Sequence, residues 1–149
     1  MEIFFFIVFS VKKIEECIQN GYTVVYTMDT HSADYLQTEE GINLPIIHCQ
    51  KGSDGWQLVK GIYKQNCKII EKDAFTSLEF LQFVEKNNFT TVEFVGLCTD
   101  ICILENALLL SKSEKNLSIA VHKNLTAGTT YQKHIEALKT LQTIGVQIL

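Results

Sequence analysis

The chain has 149 residues, of which 46% are hydrophobic and 20% are charged, and its formal net charge is −4 at pH 7. This length and balance are typical of a single soluble globular domain, able to bury roughly 68–70% of its unfolded surface. The negative charge argues against nucleic acid or an anionic membrane surface as a partner.

An uninterrupted apolar run, residues 3–9, opens the chain. It is far shorter than the ~20 residues that a membrane-spanning helix needs. It also lacks the positively charged leader and the small-residue cleavage site of a secretory signal peptide. We therefore expect residues 4–9 to form a buried strand in a protein without a membrane span.

Apolar periodicity and turn residues divide the rest of the chain into alternating helices and strands. A short helix carries Val11, Ile14 and Cys17 on one face and ends at residues 20–21, and Ser77 is placed to cap a later helix. We predict helices at residues 55–64, 78–86, 101–113 and 131–143, strands at residues 22–28, 67–70, 91–95, 117–121 and 146–149, and a long loop at residues 29–53.

The alternation predicts a three-layer α/β/α fold, with a doubly wound, mostly parallel sheet whose strands are buried on both faces. No repeat, low-complexity tract or linker interrupts it, so we expect one domain over residues 1–149. In such sheets the ligand site lies beyond the carboxyl ends of the strands. Asp29 and His31 follow the second strand, Lys72 the next and Cys102 the one after, which predicts a shared site at one sheet edge.

The segment GLCTDIC at residues 96–102 lies between a predicted strand and a predicted helix. Cys102 then falls in the first turn of the helix, where unpaired N–H groups and the positive end of the macrodipole favour a thiolate. A thiolate is a nucleophile at neutral pH. The alternative is that Cys102 is a small buried hydrophobic residue, which is the common role of an arbitrary cysteine.

The other cysteines show no disulfide or zinc-finger pattern. The five residues of this type, at positions 17, 49, 67, 98 and 102, leave one unpaired under any disulfide scheme. Their spacing matches no small secreted framework. Reduced thiols in a cytoplasmic protein are therefore expected.

Asp29 and His31 are two residues apart at the end of an extended segment, so both side chains fall on one face. His48, at the end of the following loop, supplies a second imidazole. Two imidazoles and a carboxylate suit zinc, iron, manganese or nickel better than calcium or magnesium. From the residues alone the alternative stands that Asp29 caps the loop and that hydrogen bonds satisfy both histidines.

Four motifs follow one another along the chain: DTH at residues 29–31, LPIIHC at 44–49, EKDAF at 71–75 and GLCTDIC at 96–102. Each is weak alone. Together, in this order and spacing, they resemble the isochorismatase-like cysteine hydrolases, and most closely the nicotinamidase branch of that superfamily. The resemblance covers nearly all of residues 12–149.

The resemblance implies a catalytic Cys102 beside Lys72, whose charge would favour the thiolate and stabilise developing negative charge. It implies an oxyanion hole made by the backbone N–H groups of Cys98 and Cys102, with a cis peptide bond before Cys98, whose side chain is then passive. The implied ligands of a metal ion, with zinc the first choice, are Asp29, His31, His48 and, as a further ligand, Glu40.

The implied reaction is hydrolysis of a small amide such as nicotinamide to an acid and ammonia, through a Cys102 thioester, as in NAD salvage. The ion orients the substrate, through a pyridine nitrogen or a water, rather than attacking it. Trp56 or Phe75 would line a pocket for the ring, although a core role is the commoner one for either. A homo-oligomer is compatible with the resemblance, and no role is assigned to His122 or His134.

The N-terminus departs from the family pattern. The family's first strand ends in an aspartate that serves as general base, whereas here residues 4–9 run through Ser10 and Val11 into a helix. Either the chain is a family member truncated or altered at its N-terminus, or its true start lies upstream. None of the remaining aspartates is an evident candidate for the general base; they are Asp34, Asp54, Asp73 and Asp100.

Three functions remain open from the sequence. A metal-assisted cysteine amidohydrolase is favoured by the retained Cys102, Lys72, Asp29, His31 and His48. A degenerate relative, which binds without turnover or acts as a structural subunit, is favoured by the missing aspartate. An isochorismatase-type hydrolysis of a vinyl ether is the weakest of the three, because those relatives generally lack this metal set.

Overall fold

The computed structural model describes residues 3–113 and 115–149, and for residues 3–7 it describes the backbone alone. The chain forms two compact units, one of residues 14–74 and one that joins residues 75–149 to the segment before Ile14. The prediction of a single domain over residues 1–149 stays a prediction.

The N-terminal segment is a helix, α1 (Ile3–Gln19), so the predicted strand at residues 4–9 is wrong. Nothing between Phe9 and Val11 ends a strand, and the apolar run continues directly into a helical pattern. Ser10 and Ile14, four residues apart, are buried on one face, whereas Phe9 is about half exposed. The helix ends where the sequence predicts, before Gly21, which has a φ of +78°.

The unit of residues 14–74 contains a two-stranded parallel sheet, β1 (Val25–Asp29) and β2 (Lys68–Lys72). The register places Asp29 opposite Lys72 at the carboxyl ends of both strands. Between them the chain forms a short helix, α2 (Glu39–Asn43), whose first turn is capped by the Thr38 hydroxyl accepting from Gly41 N at 3.0 Å. The strands are not buried on both faces as predicted, since Ile69 is exposed.

The predicted helix at residues 55–64 is wrong, because the structure has only a short 3₁₀ turn, Asp54–Trp56. A second 3₁₀ turn, Tyr35–Gln37, lies in the segment predicted as loop. Glycines at 52, 55 and 61 interrupt this stretch, and those at 52 and 61 have φ values of +86° and +92°. Such a backbone does not continue a right-handed helix.

The second unit contains a three-stranded parallel sheet in the order β3 (Thr91–Leu97), β4 (Ser118–Ala127), β5 (Gln147–Ile148). Three helices of this unit match predicted positions: α3 (Leu78–Lys86), α4 (Leu104–Ser111) and α5 (Tyr131–Thr143). The predicted cap is confirmed, since the Ser77 hydroxyl accepts from Phe80 N at 3.1 Å. Its core includes Val84, Ala107, Leu110, Val121 and Leu141, each at most 2% exposed.

All strand pairs between named strands are parallel in the part of the chain that is described, and helices alternate with strands. These observations confirm the predicted α/β class. Among the described residues, no helix is long and apolar enough to cross a membrane.

Candidate functional site

Three side chains in the unit of residues 14–74 bring potential ligand atoms within 4.8 Å of one another: His31, Glu40 and His48. Glu40 Oε1 lies 3.5 Å from His31 Nε2 and 3.7 Å from His48 Nε2. Imidazole nitrogens and a carboxylate oxygen at this proximity are the donor types that a zinc-like ion binds. The sequence-predicted pair of histidines is therefore brought together, with the predicted further ligand between them.

The backbone explains why these residues meet. His31 follows β1 directly, and its N–H donates to Cys49 O at 3.0 Å while its carbonyl accepts from Lys51 N at 2.9 Å. This pairing holds the returning loop, and hence His48, beside the end of β1. Glu40 lies in the first turn of α2, where a carboxylate is favoured by the helix dipole.

A hydrogen bond orients the His48 imidazole, and burial encloses that of His31. His48 Nδ1 lies 2.7 Å from the Ile46 carbonyl oxygen, which can only accept, so Nδ1 carries the proton and Nε2 keeps its lone pair. His31 is 4% exposed, and its Nε2 atom is buried with no hydrogen-bond partner in the described structure. A buried nitrogen left without a partner is unfavourable, and a metal ion would satisfy it. The donor set therefore fits a transition metal.

Tyr35 packs against both imidazoles and was not singled out by the sequence. Its ring centroid lies 4.5 Å from that of His31 and 5.1 Å from that of His48. Its hydroxyl donates to Leu44 O at 2.9 Å, and burial, with a further contribution from Glu40, raises the pKa of the phenol. A neutral aromatic wall holds the imidazole planes in place, and no motif in the sequence signals it.

Asp29, which the resemblance implies to be a metal ligand, is paired with a lysine in the structure. Its carboxylate forms an ion pair with the Lys72 ammonium, which also donates to Ala74 O at 2.9 Å. Lys72 is only 6% exposed, so it is not the solvated charge that an arbitrary lysine would be. The register of β1 with β2 produces this pair, and a ligand role for Asp29 stays a prediction.

A pocket of about 360 Å³ opens beside His31. Hydroxyls and carboxylates dominate its lining, which consists of Thr30, His31, Ser32, Asp34, Tyr35, Thr38 and Asp73. Trp56 contacts one lining residue, since its Nε1 donates to Thr30 Oγ1 at 2.9 Å. Pocket roles for Trp56 and Phe75 remain predictions.

Cys98 and Cys102 lie in the other unit. The peptide bond between Leu97 and Cys98 is cis, as the resemblance implies. After it comes a π-helical turn, Thr99–Ile103, in which Ile103 N donates to Cys98 O at 3.1 Å. Cys102 therefore lies in a π-helical turn that directly precedes α4. The prediction that it lies in the first turn of the α-helix itself is wrong, because α4 begins only at Leu104. Such π turns are frequent at functional sites.

Hydrogen bonds from side chains to which the sequence assigned no role hold this turn, which we call the nucleophile turn (residues 98–103). The Thr99 hydroxyl and His134 Nδ1 are hydrogen-bonded at 2.9 Å. The Asp100 carboxylate accepts from Thr129 N at 2.8 Å and from its hydroxyl at 2.6 Å. Asn106 Nδ2 donates to the Cys102 carbonyl at 2.7 Å.

The pKa values of two of these groups are shifted. Burial lowers the pKa of His134, and the nearby Asp100 charge opposes part of that shift. The pKa of Asp100 is itself lowered, because hydrogen bonds from Thr129 outweigh the opposing effect of burial. Neutral His134 and ionised Asp100 are thus the favoured forms near neutral pH. No disulfide joins any of the five cysteines in the described chain.

Comparisons with known proteins agree with this architecture. A family model described as the isochorismatase domain matches residues 10–149. A search of curated proteins found no match.

Solved structures show the same fold. The nicotinamidase/pyrazinamidase PncA of Bacillus subtilis is 24% identical, with a TM-score of 0.83 over 96% of this chain and 83% of that one. The pyrazinamidase of Pyrococcus horikoshii, solved in complex with zinc, is 19% identical, with a TM-score of 0.85 over 97% and 84%. The N-carbamoylsarcosine amidase of Thermoplasma acidophilum is 24% identical, with a TM-score of 0.75 over 93% and 77%.

Proposed function

The chain belongs to the isochorismatase family, and we propose that it is a nicotinamidase-like cysteine amidohydrolase that depends on a transition metal. The observation that carries the proposal is the buried, unpartnered Nε2 of His31, set against Glu40 and His48. A fold has no need of a buried imidazole without a partner, whereas a metal site does. The zinc-bound pyrazinamidase among the structural neighbours supports zinc as the first candidate.

In this proposal Cys102 is the nucleophile. Its thiol gives up a proton and the thiolate attacks the amide carbon; the C–N bond of the tetrahedral species then breaks, and the nitrogen takes up that proton and leaves as ammonia as the thioester forms. Water then attacks the thioester to release the acid and regenerate the thiol, so the net reaction is amide plus water to acid plus ammonia. Backbone N–H groups of Cys98 and Cys102 are assigned to the oxyanion.

Lys72 supplies positive charge that favours the thiolate and stabilises the oxyanion. Its buried position supports the assignment, because a desolvated charge acts more strongly than a solvated one. A metal ion held by His31, Glu40 and His48, with Asp29 as a further assigned ligand, would bind a ring nitrogen or a water and orient the amide. The substrate class that follows is a small aromatic amide such as nicotinamide, handled in the cytoplasm.

A second candidate is a family member that binds such ligands with little turnover. One observation favours it: the Asp29 carboxylate is already paired with Lys72. The leaving amine must gain a proton, and no further carboxylate is assigned to that step.

Ammonia release from nicotinamide by purified protein, assayed with and without added Zn²⁺, tests the proposal. We expect metal-dependent release that Cys102→Ala abolishes, whereas the control Cys67→Ala retains it. Release that survives in Cys102→Ala would overturn the cysteine mechanism. Binding of nicotinamide with no release above buffer would favour the second candidate.

A further inference from the structure

Asn106 is the most completely bonded buried amide beside the nucleophile turn. It is 3% exposed. Its Nδ2 donates both to the Cys102 carbonyl at 2.7 Å and to the Phe75 carbonyl at 2.8 Å. Its Oδ1 accepts from the Ser77 N–H at 2.9 Å. One side chain thus ties the nucleophile turn to the segment that enters α3.

We infer that Asn106 is a positioning residue for the Cys102 thiol, an inference that rests on the proposed function of Cys102. The peptide group is planar, so a hydrogen bond that fixes the Cys102 carbonyl fixes the plane between residues 102 and 103. That plane sets the backbone conformation of Cys102 and with it the direction in which the Cα–Cβ bond points. Asn106 therefore constrains the Cβ position of Cys102 and with it the set of positions that the sulfur reaches by rotation about the Cα–Cβ bond.

The chemistry of the amide suits this role. The Cys102 and Phe75 carbonyl oxygens require two N–H donors on a single nitrogen atom. The Ser77 N–H requires an acceptor oxygen on the same side chain. Among side chains of this length only the Asn amide offers both. Asn is a poor residue for a helix interior, and α4 nevertheless has it at its third position. Its benefit is thus the connection to the Cys102 and Phe75 carbonyls rather than the stability of α4.

The anchor at the other end is rigid. Ser77 is buried and caps α3, and the Thr99–His134 and Asp100–Thr129 hydrogen bonds restrain the same turn from the α5 side. A turn restrained at several points cannot rotate the Cys102 peptide without breaking a buried hydrogen bond. Preorganisation of a nucleophile in this way affects rate rather than binding.

The variant Asn106→Asp tests the inference, because Asp has the same shape but presents an oxygen where Nδ2 donated. It keeps an acceptor for the Ser77 N–H and faces two carbonyl oxygens with a lone pair. The matched control is Ser77→Ala, which removes the cap of α3 in the same segment but leaves the Ser77 N–H and all three bonds of Asn106 in place. Asn106→Ala serves as a second variant that introduces no repulsion.

Three quantities are measured for each variant: the rate of Cys102 alkylation by iodoacetamide, kcat and KM for nicotinamide, and amide hydrogen exchange of residues 98–103. For both Asn106 variants we expect alkylation and kcat to fall about 10- to 100-fold with KM changed less than about threefold, and exchange of the turn to accelerate. For Ser77→Ala we expect a lower melting temperature, with alkylation and kcat within about twofold of wild type.

The outcomes separate the inference from the proposed function. If wild type releases ammonia and the Asn106 variants lose no more rate than Ser77→Ala, the positioning role is wrong while the proposed function stands. If wild type releases no ammonia, yet alkylation of Cys102 slows and exchange in residues 98–103 accelerates only in the Asn106 variants, the proposed amide hydrolysis is wrong while Asn106 still positions the Cys102 thiol. Equal acceleration of exchange in Ser77→Ala would reduce Asn106 to a structural residue and overturn the inference.

Discussion

The cluster of His31, Glu40 and His48 predicts that the protein contains a metal ion, and this is measured without an activity assay. Purified protein should carry about one divalent transition-metal ion per chain, because the buried Nε2 of His31 has no hydrogen-bond partner in the described structure and lies beside Glu40. His31→Ala and His48→Ala should each lose most of that ion. The control is His122→Ala, since His122 Nε2 is bonded to Glu93 at 2.6 Å in the other unit. Full metal content in both site variants, measured by mass spectrometry, would contradict the site.

Cys102 should be the most reactive of the five thiols. With limiting iodoacetamide at neutral pH, we expect Cys102 to be labelled first and Cys49 to be labelled slowly, because burial, with a further contribution from Asp29, raises the pKa of the Cys49 thiol. Lys72→Ala should slow labelling of Cys102. Lys51→Ala, which removes an exposed ion pair with Glu71 at 2.7 Å, should not. Peptide mapping that shows all thiols labelled equally would make Cys102 an ordinary cysteine.

The lowered pKa of His134 predicts the direction in which the stability of the protein changes with pH. Its pKa is lowered in the folded protein by burial, so between the two pKa values the unfolded chain binds the proton more readily. The native state therefore has its full stability above the unfolded pKa of about 6.5 and loses part of it as the pH falls from there through the folded pKa.

Urea unfolding at pH 8 and pH 5 measures this effect. The free energy of unfolding should drop on acidification in wild type, and the drop should be smaller in His134→Asn, which retains a polar group near Thr99. An identical drop in the two proteins would show that protonation of His134 does not contribute.

The turn between β4 and α5 has room for glycine but not for a larger residue at position 128. A Cβ at Gly128 would lie 2.7 Å from Asp100 Oδ1 and 2.8 Å from His134 N, and the second of these is backbone that cannot move aside cheaply. Gly128→Ala should lower the free energy of unfolding by ~1–3 kcal/mol. It should also slow alkylation of Cys102, since Asp100 and His134 restrain the nucleophile turn.

The matched control for Gly128→Ala is Gly55→Ala. A Cβ at Gly55 meets nothing within 4 Å, so its effect on the free energy of unfolding should stay within about 0.5 kcal/mol. Denaturant unfolding of both variants provides the comparison. An equally mild effect at Gly128 would mean that the turn relaxes without loss.

Among the helices and strands, the sequence predicts an element best where a capping residue at its start and the spacing of its apolar residues agree. Residues 131–143 are helical as predicted, and Ser77 caps α3, because apolar spacing and capping chemistry are local properties. The N-terminal run was assigned to the wrong element, since a short apolar stretch without a breaker fits a strand or a buried helix equally well.

For the whole molecule, the pairing of Asp29 with Lys72 predicts slow turnover with binding preserved. A positioned acid or base contributes typically ~10²–10⁴-fold, and an Asp29 carboxylate held by the Lys72 ammonium is not available for proton transfer. Under identical conditions kcat for nicotinamide should be ~10²–10⁴-fold below that of the Bacillus subtilis nicotinamidase, with a much smaller difference in KM. A kcat within about tenfold of that enzyme would mean that another residue does this work.

The amino-acid sequence by itself determined the α/β class and the family, and it predicted which nearby residues would bind a metal ion. The DTH, EKDAF and GLCTDIC motifs lie at strand ends, and this placement depends only on local periodicity and turn residues. The family resemblance predicted from four motifs is confirmed by the match over residues 10–149. The roles assigned to Cys102, Lys72 and Asp29 stay predictions.

Tertiary structure alone decided which groups meet. The register of β1 with β2 pairs Asp29 with Lys72, and the bridge between His31 and the chain at residues 49–51 brings His48 to Glu40. Asn106, Thr99 and His134 have no motif, because their significance lies in hydrogen bonds to residues far away in sequence or to a backbone carbonyl. Local propensity acts over a few residues, whereas a site is assembled by strand register and packing across distant segments, and a single sequence does not encode that pairing in any short pattern.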